Sequence, residues 1–210
     1  MNMLTSDDIK IKKHIAIIKN DIHNFTVVNK HESKFHKFVG RIIPNWLKLS
    51  TTLFPRVYMS FTKEEIDKYP RAYLRTLQHE WVHLKDAKTF FGILPTKLKW
   101  FNAFLFYVLY LCPQLLSVFS LLGFMNPLFF AFVLFALPLP SPIRAISEIR
   151  AYRRSRELGA DVDGILENFT TSKYYYMWPF KKHVSKLIQR PSPYRLEMDK
   201  AWTDSTGEMR

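Results

Sequence analysis

From Trp100 to Ile143 the chain carries no Asp, Glu, Lys or Arg. No other feature restricts the fold as strongly. A water-soluble domain of 210 residues seldom keeps so long a stretch free of charge. The hydrophobic content as a whole, 48%, is ordinary, so the apolar residues are concentrated rather than abundant. Phe101 to Leu122 as one helix would be about 33 Å long, enough to cross a bilayer core. Pro113 would kink it. Gly123-Phe124-Met125-Asn126-Pro127 reads as a turn, and Leu128 to Leu137 as a shorter return limb running into Pro138, Pro140 and Pro142. The expectation is a hydrophobic helical hairpin that spans or dips into a membrane, or is buried in a partner. The apolar length favours membrane.

Bases crowd both ends of this segment. Lys85, Lys88, Lys97 and Lys99 precede it, and Arg144, Arg150, Arg153, Arg154 and Arg156 follow. A hairpin returns both ends to one side, and flanking Lys and Arg place that side in the cytoplasm. The net charge of +13 calls for an anionic partner. A lipid membrane suits the apolar segment. Nucleic acid is not expected, because no nucleic-acid-binding motif accompanies the charge. The single cysteine, Cys112, excludes an internal disulfide framework and a Cys-rich metal site.

Ahead of the hairpin stands His79-Glu80-Trp81-Val82-His83, which fits H-E-x-x-H. On a helix the two His lie one turn apart on the same face and can present two imidazoles to one metal ion. Glu80, one step round, can take a proton from a water held there. Thr62-Lys63-Glu64-Glu65 is a capping box. Pro70 restarts the helix, which is expected to run to Phe91 and stop at Gly92. Asp86, three residues after His83, can hydrogen-bond a ligand imidazole from behind. Downstream, Ser141-Pro142 starts a helix ending near Leu158 and Gly159. Its Glu148 is the expected third ligand, with Glu157 and Asp161 as rivals at or beyond the helix end. Ala151, one turn after Glu148, allows close packing. Further on, Lys173 to Lys182 mixes aromatics and bases. There His183 or a tyrosine is a candidate for stabilising an oxyanion.

The rest reads as supporting structure. Ser6 to about Asn24 is an expected helix, Phe25 to Val28 a short strand, and Glu32 to Ile43 a basic helix. The stripe Phe35, Phe38, Val39, Ile42 of that helix is expected in the core. His31 and His36 are expected in solvent. Arg56 to Ser60 is an expected edge strand beside the cleft, Pro55 suiting an edge position, where it could pair with an extended peptide. Arg190 to Arg210 is an expected loose tail. The fold class is therefore mainly α with a small edge β-sheet (α+β): a zincin-like two-helix zinc core with an inserted hydrophobic hairpin. Residues 1–98 form its N-terminal part with the HExxH helix, 99–143 the hairpin, 144–190 the third-ligand helix and remainder, and 191–210 the tail.

The order HExxH, apolar hairpin, then Ser147-Glu148-Ile149-Arg150-Ala151 resembles the membrane-embedded gluzincins, the HtpX-like and CAAX-prenyl-protease-like group of zinc metallopeptidases. In that group hydrophobic segments lie between the two zinc-binding helices, and the second motif usually reads E-x-x-A-D. The resemblance covers about Thr76 to Asp163. It implies Zn²⁺ on His79, His83 and Glu148, with Glu80 as base, and a peptide or protein substrate. The chain departs from the pattern at Tyr152, where the group usually has an Asp second-shell contact. The compact chain is also similar to small HExxH proteins encoded in bacteriophage genomes. The expected function is that of a zinc-dependent, membrane-associated (transmembrane) metalloendopeptidase with its active site facing the cytoplasm. The alternative is a non-catalytic membrane or virion protein that retains a zincin-like fold.

Overall fold

The computed structural model describes residues 6–42, 45–111, 116–136, 142–171, 178 and 180–206. Among these the chain is mostly helical, with one small three-stranded sheet. It divides into two compact units, Met1–Leu84 with Pro193–Arg210, and Lys85–Ser192.

The first unit holds the sheet. Its elements are α1 (Ser6–Asp21), β1 (Thr26–Asn29), α2 (Lys34–Ile42), β2 (Thr51–Leu53), β3 (Arg56–Met59), α3 (Lys63–Lys68) and most of α4 (Pro70–Thr89). β3 lies in the middle, parallel to β1 and antiparallel to β2. The expected edge strand is thus central, and the edge next to it is β2. The tight turn through Phe54-Pro55 explains the difference, because it folds Thr51–Leu53 back onto β3 and covers that side. Alternation along β3 puts Val57 and Met59 into the core. The capping box at Thr62 is present: Glu65 N–H donates to Thr62 Oγ1 at 3.3 Å and Thr62 N–H to Glu65 Oε2 at 2.8 Å. Trp81 Nε1 of α4 donates to Asp21 Oδ2 of α1 at 2.7 Å.

Three further expectations for this unit are reversed. The α2 stripe is not core: Phe35, Phe38 and Ile42 are exposed, and His36 is the buried residue of that helix. His31 is half-buried, its Nε2 2.8 Å from Ser60 O. Within the expected loose tail, the described residues after Tyr194 are ordered. Arg195–Thr206 forms a helix, α9, with Met198 buried. The element contacts α1, and its polar composition hid the anchoring by Met198.

Lys30, just after β1, is fully buried. Its Nζ donates to Leu49 O at 2.5 Å, Thr51 Oγ1 at 2.6 Å and Trp46 O at 3.3 Å, and lies 4.2 Å from the centre of the Trp46 ring. The ammonium thereby ties the end of β1 to the 3-10 turn Trp46–Lys48 and to the start of β2.

The second unit begins inside α4, which runs without a break to Thr89. Phe90, Phe91 and Gly92 then take positive φ and end the helix. Its other helices are α5 (Lys99–Tyr110), α6 (Pro142–Glu157), α7 (Val162–Thr170) and α8 (Lys181–Ile188). A cluster of Ala145, Ile149, Tyr152, Ile165, Leu166, Phe169, Val184 and Ile188 binds α6, α7 and α8 together. α5 buries Asn102, Ala103 and Phe106, and Asn102 Nδ2 donates to Lys88 O and Pro95 O at 2.8 and 3.0 Å. The expected continuous helix to Leu122 stops at Tyr110, and Pro113 and Cys112 lie outside the described residues, as do Ser141 and the aromatic-basic stretch 172–177. Ser117–Phe124 and Pro127–Ala136 are 3-10 segments packed on each other through Phe119 and Phe132. Most of their large apolar side chains are exposed.

Burial lowers the Lys30 pKa from 10.5 to about 8, against the opposing pull of the Glu80 charge. Between those values the unfolded chain holds the proton that the folded chain has lost, so stability rises with pH. Relative to Lys30→Met, the wild type should therefore gain stability in urea denaturation between about pH 7 and about pH 10. A difference independent of pH would show that the buried ammonium keeps its ordinary basicity.

Candidate metal centre

The 3.6-residue turn places His79 and His83 on one face of α4. Both are buried. Their Nε2 atoms stand 3.2 Å apart, with the rings nearly perpendicular at 75°. Two nitrogens each 2.0–2.1 Å from a tetrahedral zinc would be separated by roughly 3.3 to 3.4 Å, so the pair has the spacing that chelation needs. Glu80, between them in sequence, is buried as well. Its Oε2 accepts a 2.5 Å hydrogen bond from Thr52 Oγ1 on β2. The carboxylate is therefore fixed in direction by a residue from the sheet.

Glu148 lies on the buried side of α6. Tyr110, near the end of α5, donates its hydroxyl proton to Glu148 Oε1 at 3.0 Å. Arg144, one turn before Glu148, hydrogen-bonds that hydroxyl in turn, with its guanidinium carbon 5.8 Å from the tyrosine ring centre. Arg donates and cannot accept, so the proton order runs from Arg144 to Tyr110 to Glu148. Two residues after Glu148, Arg150 grips Asp86 of α4, with Nε at 3.0 and 3.1 Å from the two carboxylate oxygens and Nη2 at 2.9 Å from Oδ1. Arg150 also donates to Phe91 O at 3.4 Å.

His79, His83 and Glu148 bring one ligand atom each to within 4.8 Å of one another, and all three are buried. The group could hold a metal ion. Two imidazoles and a carboxylate form a nitrogen and oxygen donor set suited to a divalent transition metal.

The remaining candidates divide clearly. Asp86 is fully buried and spends its charge on Arg150. Tyr152 is a core residue: its ring meets Phe169 edge-on at 5.6 Å, and its hydroxyl accepts from Asn168 Nδ2 at 3.2 Å. His183 is exposed on α8, which is not the water-excluded setting that oxyanion stabilisation requires. The rival ligands are occupied elsewhere. Glu157 accepts from Arg154 and from Ser192 N–H. Asp161 caps α7 by accepting from Gly164 N–H at 2.7 Å.

Sequence reasoning missed Thr52 and Tyr110. Thr52 precedes its partner by 28 residues and Tyr110 by 38. Neither has a local signal beyond its polarity in an apolar setting, which for Tyr110 was the only available hint.

Comparison with family models, curated proteins and solved structures found no match. The centre has to be understood from its own geometry.

A hydrogen bond that orients a metal ligand typically contributes about 10- to 100-fold to affinity. Tyr110→Phe should weaken divalent-metal binding by that factor in a chelator competition, over and above any drop in the melting temperature of the metal-free protein. Equal affinities would remove Tyr110 from the centre.

Proposed function

We propose that the protein is a zinc-dependent metallopeptidase of the gluzincin type that works at a membrane. The observation that carries the reading is the buried His79, His83 and Glu148 group, with a buried carboxylate that is not part of it, Glu80, next to His79 in sequence and held in place by Thr52. Zinc bound there would polarise the scissile carbonyl and acidify a water molecule. The protein's own residues do the proton work. Thr52 fixes one Glu80 oxygen, leaving the other to accept the proton of the attacking water and hand it to the departing amine. Tyr110 and Arg144 hold the Glu148 carboxylate in one direction.

The membrane part of the reading rests on the apolar hairpin. Phe124, Met125, Leu128 and Leu121 are exposed at its tip, and the whole segment from Trp100 to Ile143 is free of charge. No helix among the described residues is long and apolar enough to cross a bilayer. The proposed hairpin enters from one side and returns to it, on the ground that bases stand at both of its roots, and by the positive-inside tendency that side is the cytoplasm.

Glu80→Gln and Glu148→Gln are the same chemical change at two positions. Glu80→Gln should keep one zinc per chain and lose about a hundred- to ten-thousandfold in cleavage of an unfolded protein substrate. Glu148→Gln should lose zinc. Cleavage by Glu80→Gln at the wild-type rate would refute the peptidase reading, and zinc binding without cleavage by the wild type as well as by Glu80→Gln would favour a scaffold.

The hairpin is checked separately. Wild type should stay with membranes in high salt and be released by detergent. In high salt, Phe124→Asp combined with Leu128→Asp should move the chain into the soluble fraction with its zinc still bound. A wild-type chain that is soluble without detergent would end the membrane claim.

A further inference from the structure

α2 turns an apolar stripe outward. Phe35, Phe38 and Ile42 recur at i, i+3 and i+7 and are 66%, 59% and 65% exposed. The inner face of the helix accounts for this orientation. His36 is buried and meets Tyr58 of β3 edge-on at 4.5 Å and Trp46 at 5.9 Å. Gly40, one turn later on the same side, approaches Leu47 so closely that a Cβ there would lie 2.8 Å from Leu47 Cγ. A glycine inside a helix costs up to about 1 kcal/mol against alanine in general, and here it is what lets the helix sit down on the 3-10 turn. The seat of α2 is thus fixed by His36 and Gly40, and the stripe is the side left facing outward.

The flank of that stripe is basic. Lys34, Lys37 and Arg41 are all exposed. At 100° per residue they gather on one edge of the stripe, between it and Gly40. A short surface helix with aromatic side chains along one line and cations beside it has the layout of a helix that lies in a membrane interface. The rings enter the boundary between headgroups and acyl chains, and the bases meet the lipid phosphates. A protein partner for the same stripe would also have to offset three positive charges, in a chain whose net charge is already +13. An anionic bilayer does so everywhere on its surface.

We propose that α2 docks in the plane of an anionic lipid surface, with Phe35, Phe38 and Ile42 inserted and Lys34, Lys37 and Arg41 against phosphate groups. The proposal shares its partner with the hairpin reading above but rests on different residues. One short helix anchors weakly, and stable attachment needs a second signal. α2 therefore acts beside another membrane contact and sets how the first unit lies on the surface.

The test uses the full chain. An environment-sensitive fluorophore is attached to Phe38→Cys in a Cys112→Ser background and mixed with phosphatidylcholine vesicles with and without phosphatidylglycerol. Emission should shift to the blue and brighten with the anionic vesicles only. In a Phe124→Asp, Leu128→Asp background, where the hairpin cannot mask the effect, Lys34→Gln, Lys37→Gln and Arg41→Gln together should weaken vesicle binding about a hundredfold. All three positions are exposed, so this variant also answers the question if the labelled chain folds poorly. Co-sedimentation with unchanged emission at position 38 and no effect of the three Gln substitutions would overturn the α2 proposal and leave the hairpin contact standing. A blue-shifted probe without vesicles, together with a doubled mass in light scattering, would assign the stripe to a second copy and also overturn it. A chain that binds no vesicle of either kind would overturn both membrane readings.

Discussion

The buried ion pair between Asp86 and Arg150 is the contact on which the order of the second unit depends. Asp86 occupies the last turns of α4 and Arg150 the middle of α6, and the pair is bidentate with the aspartate fully buried. Breaking such a pair by removing one partner costs about 3–5 kcal/mol, because the other charge is left stranded. The penalty makes the placement of α6 against the end of α4 close to all-or-none. Glu148 stands two residues from Arg150, so a shift that spoiled the ion pair would also displace the third member of the group that could hold a metal ion. Asp86 supports the centre in this indirect way.

In the first unit, Thr51 and Thr52 divide the same kind of work between two faces. Successive residues of a strand point to opposite sides. Thr51 Oγ1 accepts from the buried ammonium of Lys30, and Thr52 Oγ1 donates to the buried carboxylate of Glu80. One three-residue strand thus serves a buried cation and a buried anion. The Glu80 charge in turn favours the protonated Lys30, against the larger effect of burial. A change that displaces β2 would therefore disturb both groups together.

What could be seen in the sequence was what depends on local geometry. Helical spacing predicts that His79 and His83 share a face, and the caps at Thr62 and Gly92 predict where chain segments start and stop. Glu148 stands out among three acidic residues because the other two, Glu157 and Asp161, lie at or beyond the end of the helix. Long-range pairings could not be seen. Tyr110 finds Glu148 only when α5 and α6 come together, and β3 becomes central only when β2 folds back onto it. Lys30 gave no hint because lysines are rarely buried. The α2 stripe shows a different kind of failure. Periodicity correctly predicts a helix with one apolar side, but it does not say whether that side faces protein or another medium.

β2 is three residues long, and a strand of that length extends only about 10 Å. It lies at the rim of the sheet and carries the residue that steadies Glu80. A polypeptide laid along this rim could form main-chain bonds over barely one repeat of the pleat. Such a chain would be held by very few backbone bonds, so recognition would depend on its side chains and would reward brief contact over tight retention. Under the proposed peptidase reading, turnover of loosely held, already extended segments suits the architecture better than prolonged grip on a long one.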